Sequence, residues 1–143
     1  MTIYNLYVFN RDGTCIYYTE WKRERKATMP KEEEIKLVYG MLFSIKSFVS
    51  KLSPVPTDNK QGFLNYQTNV YKLNYFESAS GYKFLMNTDK RASGIPDLLR
   101  VIYTQIFLES VVKNPLWKPG SQIECDAFRK ALDENVRKHH AFV

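Results

Sequence analysis

The chain has 143 residues, which at about 100 to 200 residues per domain predicts one domain spanning residues 1–143. Hydrophobic residues make up 44% and charged residues 25%, a balance that excludes a disordered or collagen-like chain. Lys and Arg number 21 against 15 for Asp and Glu, and this net +6 either favours acidic partners or simply keeps a small domain soluble. The densest basic cluster, Lys22-Arg23-Glu24-Arg25-Lys26, is soon answered by Lys31-Glu32-Glu33-Glu34, so there is no long arm of one sign. Aromatic residues reach 15%, which suits strands and interfaces better than a plain helical bundle.

In chain order, Ile3 to Phe9 is a β-branched and aromatic run with apolar residues on both faces, the pattern of a central strand covered on two sides. Asn10-Arg11-Asp12-Gly13 supplies a hairpin turn, and Thr14 to Trp21 reads as the returning strand. Pro30 with Glu32-Glu33-Glu34 marks a helix start, because carboxylates there complement the macrodipole. The helix is expected to run to about Leu52, with Ile35, Val38, Leu42, Ile45, Val49 and Leu52 as one apolar stripe, ended by Pro54 and Pro56. Leu37, Met41 and Phe48 widen that stripe, and Tyr39 and Phe43 lie on a further flank. One side of a sheet needs only about 100° of helix surface, so the surplus implies a second contact.

After the polar stretch Asp58 to Gly62, three strands are expected at Phe63 to Thr68, Tyr71 to Glu77 and Tyr82 to Thr88, close enough to form an antiparallel meander. Ser93-Gly94-Ile95-Pro96-Asp97 opens a second helix whose face is Leu98, Leu99, Ile102, Tyr103, Ile106 and Phe107, ended by Asn114-Pro115. Ser121 with Glu124 reads as the capping box of a third helix, with Cys125, Phe128, Leu132 and Val136 on one stripe and Arg137-Lys138-His139-His140 at its end. The order β-β-α-β-β-β-α-α is that of an α+β sandwich built on one antiparallel sheet.

Chemistry is sparse. Neither of the two common glycine-rich phosphate cradles occurs, and Cys15 and Cys125 belong to no Cys-x-x-Cys pair. His139 and His140 are neighbours that point about 100° apart on a helix, which is poor geometry for shared metal ligation. No catalytic residue, cofactor or metal is therefore expected, and two separate thiols fit a reducing compartment. Tyr66, Tyr71, Tyr75 and Tyr82 could stack bases, yet the element order does not match an RNA recognition motif, and no nucleic-acid partner is expected. No apolar run reaches the roughly 18 to 20 residues that cross a bilayer, and neither Met1-Thr2 nor Ala141-Phe142-Val143 is a lipidation signal, so membrane contact is expected to be peripheral. The remaining signal is the apolar surplus of the first helix. It marks an interaction module, with Lys36, Tyr39, Gly40, Phe43 and Ser47 as the expected partner interface. The alternative is that the last helix or a loop covers Tyr39 and Phe43 within the chain.

Asn5-Leu6-Tyr7-Val8-Phe9 with Asp12-Gly13 and Cys15, Glu32-Glu33-Glu34, and Leu37 through Ile45 together resemble the subunit-one family of TRAPP, the transport protein particle. Tyr71-Lys72-Leu73 with Tyr75 and Glu77, Met86-Asn87-Thr88-Asp89 and Val111 through Leu116 extend the resemblance over nearly the whole chain. It implies a sedlin-type subunit with the longin-like (profilin-like) fold, whose element order agrees with the one read above. It further implies a core scaffold subunit of a tethering complex, partnered by Bet-three-like and sedlin-like subunits, on the cytoplasmic side of Golgi and endoplasmic reticulum membranes. The assembled complex would act as guanine nucleotide exchange factor for a Rab GTPase between those compartments. Another longin-like protein, a lone regulator binding a SNARE or adaptor, is the alternative.

Overall fold

The computed structural model describes residues 3–22, 29–52, 63–118 and 120–139. All of the basic cluster after Lys22, the polar stretch 58–62, Pro54, Pro56 and His140 lie outside the described residues, as do the side chains of Phe48, Val49 and Leu52. The chain divides into two compact units, residues 23–61 and the remainder.

The larger unit holds five strands, β1 (Ile3–Phe9), β2 (Cys15–Glu20), β3 (Phe63–Gln67), β4 (Tyr71–Glu77) and β5 (Lys83–Asp89), in one sheet ordered β2-β1-β5-β4-β3. All four pairings are antiparallel. The expected meander β3-β4-β5 is present, and β1 sits inside the sheet between β2 and β5. Leu6 and Val8 on one face of β1 and Tyr7 and Phe9 on the other are all buried, as a two-sided apolar strand requires. A register shift between Ile3 and Asn5 returns Ile3 to the face of Leu6 and Val8.

Five strand boundaries move by a residue: β2 ends at Glu20 and β5 at Asp89, and three others move because a turn takes the residue in question. At the first hairpin the Asn10 N–H donates to Thr14 O at 2.9 Å, while Asn10 Oδ1 accepts from the N–H groups of Asp12 and Thr14. Gly13 adopts φ 89°, which glycine reaches without a Cβ clash, so β2 begins at Cys15 rather than Thr14. Thr68 is likewise drawn into a turn, its hydroxyl accepting the N–H groups of Val70 and Tyr71. Ser78 Oγ does the same for the Tyr82 N–H at 3.0 Å, so β5 starts at Lys83.

Helix α2 (Ile95–Val101) begins where Gly94 and Pro96 predict and continues without a break into a wider helix, Ile102–Val112. There the bonding lengthens by one residue, as in the 3.1 Å bond from the Lys113 N–H to Leu108 O. The sequence pattern did not reveal this widening. It brings Ile102, Ile106, Phe107 and Val111, separated by four or five residues, toward one side, and all four are buried.

The last helix, α3 (Asp126–Lys138), starts later than the expected capping box. Ser121 Oγ donates to Lys118 O rather than accepting from a helical N–H, and Cys125 occupies the cap position without a side-chain bond. The cause lies in β2. The Ile123 N–H donates to Ile16 O at 2.8 Å and Gln122 Nε2 to Cys15 O at 2.7 Å, holding these residues extended until the chain can turn. Phe128, Leu132 and Val136 are buried, as their spacing predicts, whereas Cys125 is only half-buried.

One core joins the Leu6–Val8 face of the sheet to α2, the wide helix and α3. Phe107 is its aromatic hub, edge-on to Tyr82 at 4.9 Å, Phe84 at 5.4 Å, Trp117 at 6.3 Å and Phe128 at 6.3 Å.

Candidate functional site

The smaller unit contains α1 (Lys31–Leu52). Its start follows from charge: Glu32, Glu33 and Glu34 occupy the positive end of the helix dipole, and Lys31 Nζ pairs with Glu34 Oε2 at 3.3 Å. Among the expected interface residues, Lys36, Gly40, Phe43 and Ser47 fall within about 60° of one another around the helix, with Tyr39 at their flank. Lys36 and Gly40 are exposed, Phe43 is 65% exposed, and Tyr39 and Ser47 are half-buried. A Cβ built on Gly40 would meet nothing within 4 Å. Leu42, on the predicted inner stripe, is 2% exposed.

Leu37 and Met41, part of the apolar surplus that implies a second contact, are 61% and 37% exposed. With Gly40 and Ser44 they form a second seam at i, i+3, i+4 and i+7, adjoining the first at Gly40. That spacing is the signal in the sequence for this seam. Exposed apolar side chains therefore stand on either side of Gly40, Leu37 and Met41 to one side and Phe43 to the other.

Elsewhere the inventory is one of contacts rather than reactions. Among the described residues, no group of three or more His, Cys, Asp and Glu side chains could hold a metal ion. Cys15 and Cys125 are half-buried and form no disulfide among the described residues, and the Cys15 thiol donates to Tyr17 O at 3.3 Å. Two groups have displaced titration. Burial raises the Tyr17 hydroxyl, outweighing the nearby Arg129 guanidinium and a hydrogen bond with Thr19. Burial also pushes the Asp133 carboxyl up, but bonds from the Trp21 indole at 2.9 Å and Arg137 Nε at 2.8 Å prevail and hold it below its ordinary range. Both groups lie where β2 meets α3. No helix among the described residues is long and apolar enough to cross a membrane.

The model of the sybindin-like family matches residues 3–139. The chain belongs to the sybindin-like family. Its sybindin-like relatives include a human protein named trafficking protein particle complex subunit 1, 53% identical over 137 residues, covering 96% of this chain and 93% of that one. The Dictyostelium discoideum protein of the same name is 42% identical over 98% of each chain. A Schizosaccharomyces pombe protein named as a transport protein particle subunit is 29% identical over 99% of this chain and all of its own. The α+β architecture and five-stranded antiparallel sheet accord with sybindin-like membership and with the resemblance drawn from the motifs.

Proposed function

We propose that this chain is a core scaffold subunit of a transport protein particle tethering complex, and that the exposed face of α1 is one of its subunit interfaces. The observation that carries the reading is 53% identity over 96% of the chain to proteins named trafficking protein particle complex subunit 1. Its partners are the Bet-three-like and sedlin-like subunits of the complex. The assembly acts as guanine nucleotide exchange factor for a Rab GTPase in transport from endoplasmic reticulum to Golgi, bound peripherally to the cytoplasmic side of those membranes. Such exchange needs no covalent chemistry from this chain, because the complex lowers the free energy of the nucleotide-free GTPase and so raises the nucleotide off-rate. The exposed apolar side chains of Leu37, Met41 and Phe43 support a role built on protein contacts.

The test is a tagged pull-down from cytosol at gentle salt, with mass spectrometry of the proteins retained in near-equal amounts. Recovery of several small Bet-three-like and sedlin-like subunits is expected, followed by accelerated release of labelled GDP from the Rab GTPase by the purified assembly. Recovery of a SNARE or an adaptor alone would replace this reading with that of a lone regulator. Assembly without accelerated release would keep the scaffold and remove the exchange role.

A further inference from the structure

We propose that the groove between β2 and α3 receives a short, extended, acidic segment of a partner protein. This surface lies in the larger unit, whereas α1 belongs to the smaller one. The groove encloses about 340 Å³. Tyr17, Thr19 and Trp21, alternate residues of one strand face and its continuation, form one wall, and Arg129, Lys130 and Arg137 of α3 form the other. The walls match in length. Tyr17 to Trp21 spans about 13 Å at strand rise, and Arg129 to Arg137 about 12 Å at helix rise, each the reach of about four extended residues.

The charges select the occupant. The carboxylates lining the groove are already engaged: Asp133 accepts from Trp21 and Arg137, and Glu20 accepts from the Tyr18 hydroxyl at 2.6 Å. The cations retain donor capacity. Arg129 uses Nη2 on Asp126 at 2.8 Å, one of the five N–H donors of a guanidinium, and Lys130 is exposed with no ion pair among the described residues. An acidic side chain lying in the groove meets Arg129 and Lys130, while its apolar neighbours rest on the rings of Tyr17 and Trp21. A concave slot suits a single chain better than a bilayer surface. Glu20 and Asp133 within it oppose a continuous run of phosphates more than they oppose one carboxylate placed beside Arg129.

The probe is a fluorescein-labelled peptide of alternating glutamate and leucine, titrated into the full-length chain by anisotropy, against the same peptide with lysine for glutamate. Saturable binding of the acidic peptide is expected, weakened by added salt, with the lysine peptide at least about tenfold weaker. Arg129→Glu with Lys130→Glu should weaken it at least about tenfold with an unchanged melting curve, and the milder Arg129→Gln should lie between. The proposal is overturned if the acidic peptide does not saturate, if both peptides bind equally, or if the double variant binds like the parent chain. It is also overturned if phosphatidylserine vesicles bind the parent chain but not the double variant while the peptide fails, since the surface would then be a membrane contact.

Discussion

The indole N–H of Trp21 donates to Asp133 Oδ1 at 2.9 Å, joining the end of β2 to the middle of α3 across the chain. Arg137, one helical turn on, donates to the other carboxylate oxygen at 2.8 Å. Both bonds favour the charged carboxylate, so the folded chain holds Asp133 below its ordinary value of 3.8. The resulting stabilisation is fully present at neutral pH and is lost as pH falls through the depressed folded value. Asp133→Asn should therefore lower stability at pH 7 by about 0.5–1 kcal/mol, a modest figure because solvent screens a half-exposed carboxylate. The gap between variant and parent should close as the pH falls through that depressed folded value. Urea melts across that range decide it, and a gap that persists in acid would mean the carboxylate's charge is not what stabilises the contact.

Phe128 stands under Tyr17 with ring centroids 4.9 Å apart and planes at 88°, and it also meets Phe107. It is fully buried. Phe128→Ala should cost about 3–5 kcal/mol through lost burial and the cavity left behind. Chemical denaturation measures this, and a loss under about 1 kcal/mol would mean that α3 does not close the core in this way.

Two glycines should respond with opposite signs. Gly81 has φ 95°, and a Cβ there would stand 3.2 Å from Cβ and Cγ of Arg11, so Gly81→Ala should destabilise by about 1–3 kcal/mol. Gly40 lies within α1 with open space beside it, so Gly40→Ala should stabilise the isolated chain by about 0.5–1 kcal/mol. Thermal melts of the two variants give the comparison directly.

Neighbouring positions on α1 should separate folding from assembly. Leu42→Ala, at a buried position, should cost about 2–5 kcal/mol. Phe43→Asp, at an exposed one, should change stability by no more than about 0.5 kcal/mol yet reduce co-purification of partner subunits at least about tenfold. Normal assembly of Phe43→Asp would remove this face from the proposed interface.

The candidate interface was half legible. Tyr39 and Phe43 stand outside the inner stripe on spacing alone, and Phe43 is exposed as that implies. Leu37 and Met41 are exposed as members of the apolar surplus, but their grouping with Gly40 and Ser44 was not drawn from the pattern, because an apolar side chain at the edge of a stripe carries no sign of which side it faces. The groove between β2 and α3 had no signal at all, since its walls come from opposite ends of the chain.

Local physics fixed much of the rest. β-branched and aromatic runs with short connections set the five strands, glycine and hydroxyl chemistry set their turns, and acidic residues with Pro30 set the start of α1. Each depends on residues a few positions apart, whose interactions are the same wherever the chain goes next. The tertiary structure alone decided the insertion of β1 beside β5, the widening of the helix at Ile102 and the late start of α3. Ser121 illustrates the reason. Its hydroxyl was suited to cap a helix, but Gln122 and Ile123 found acceptors on β2, and bonds to a distant strand outweighed the local preference.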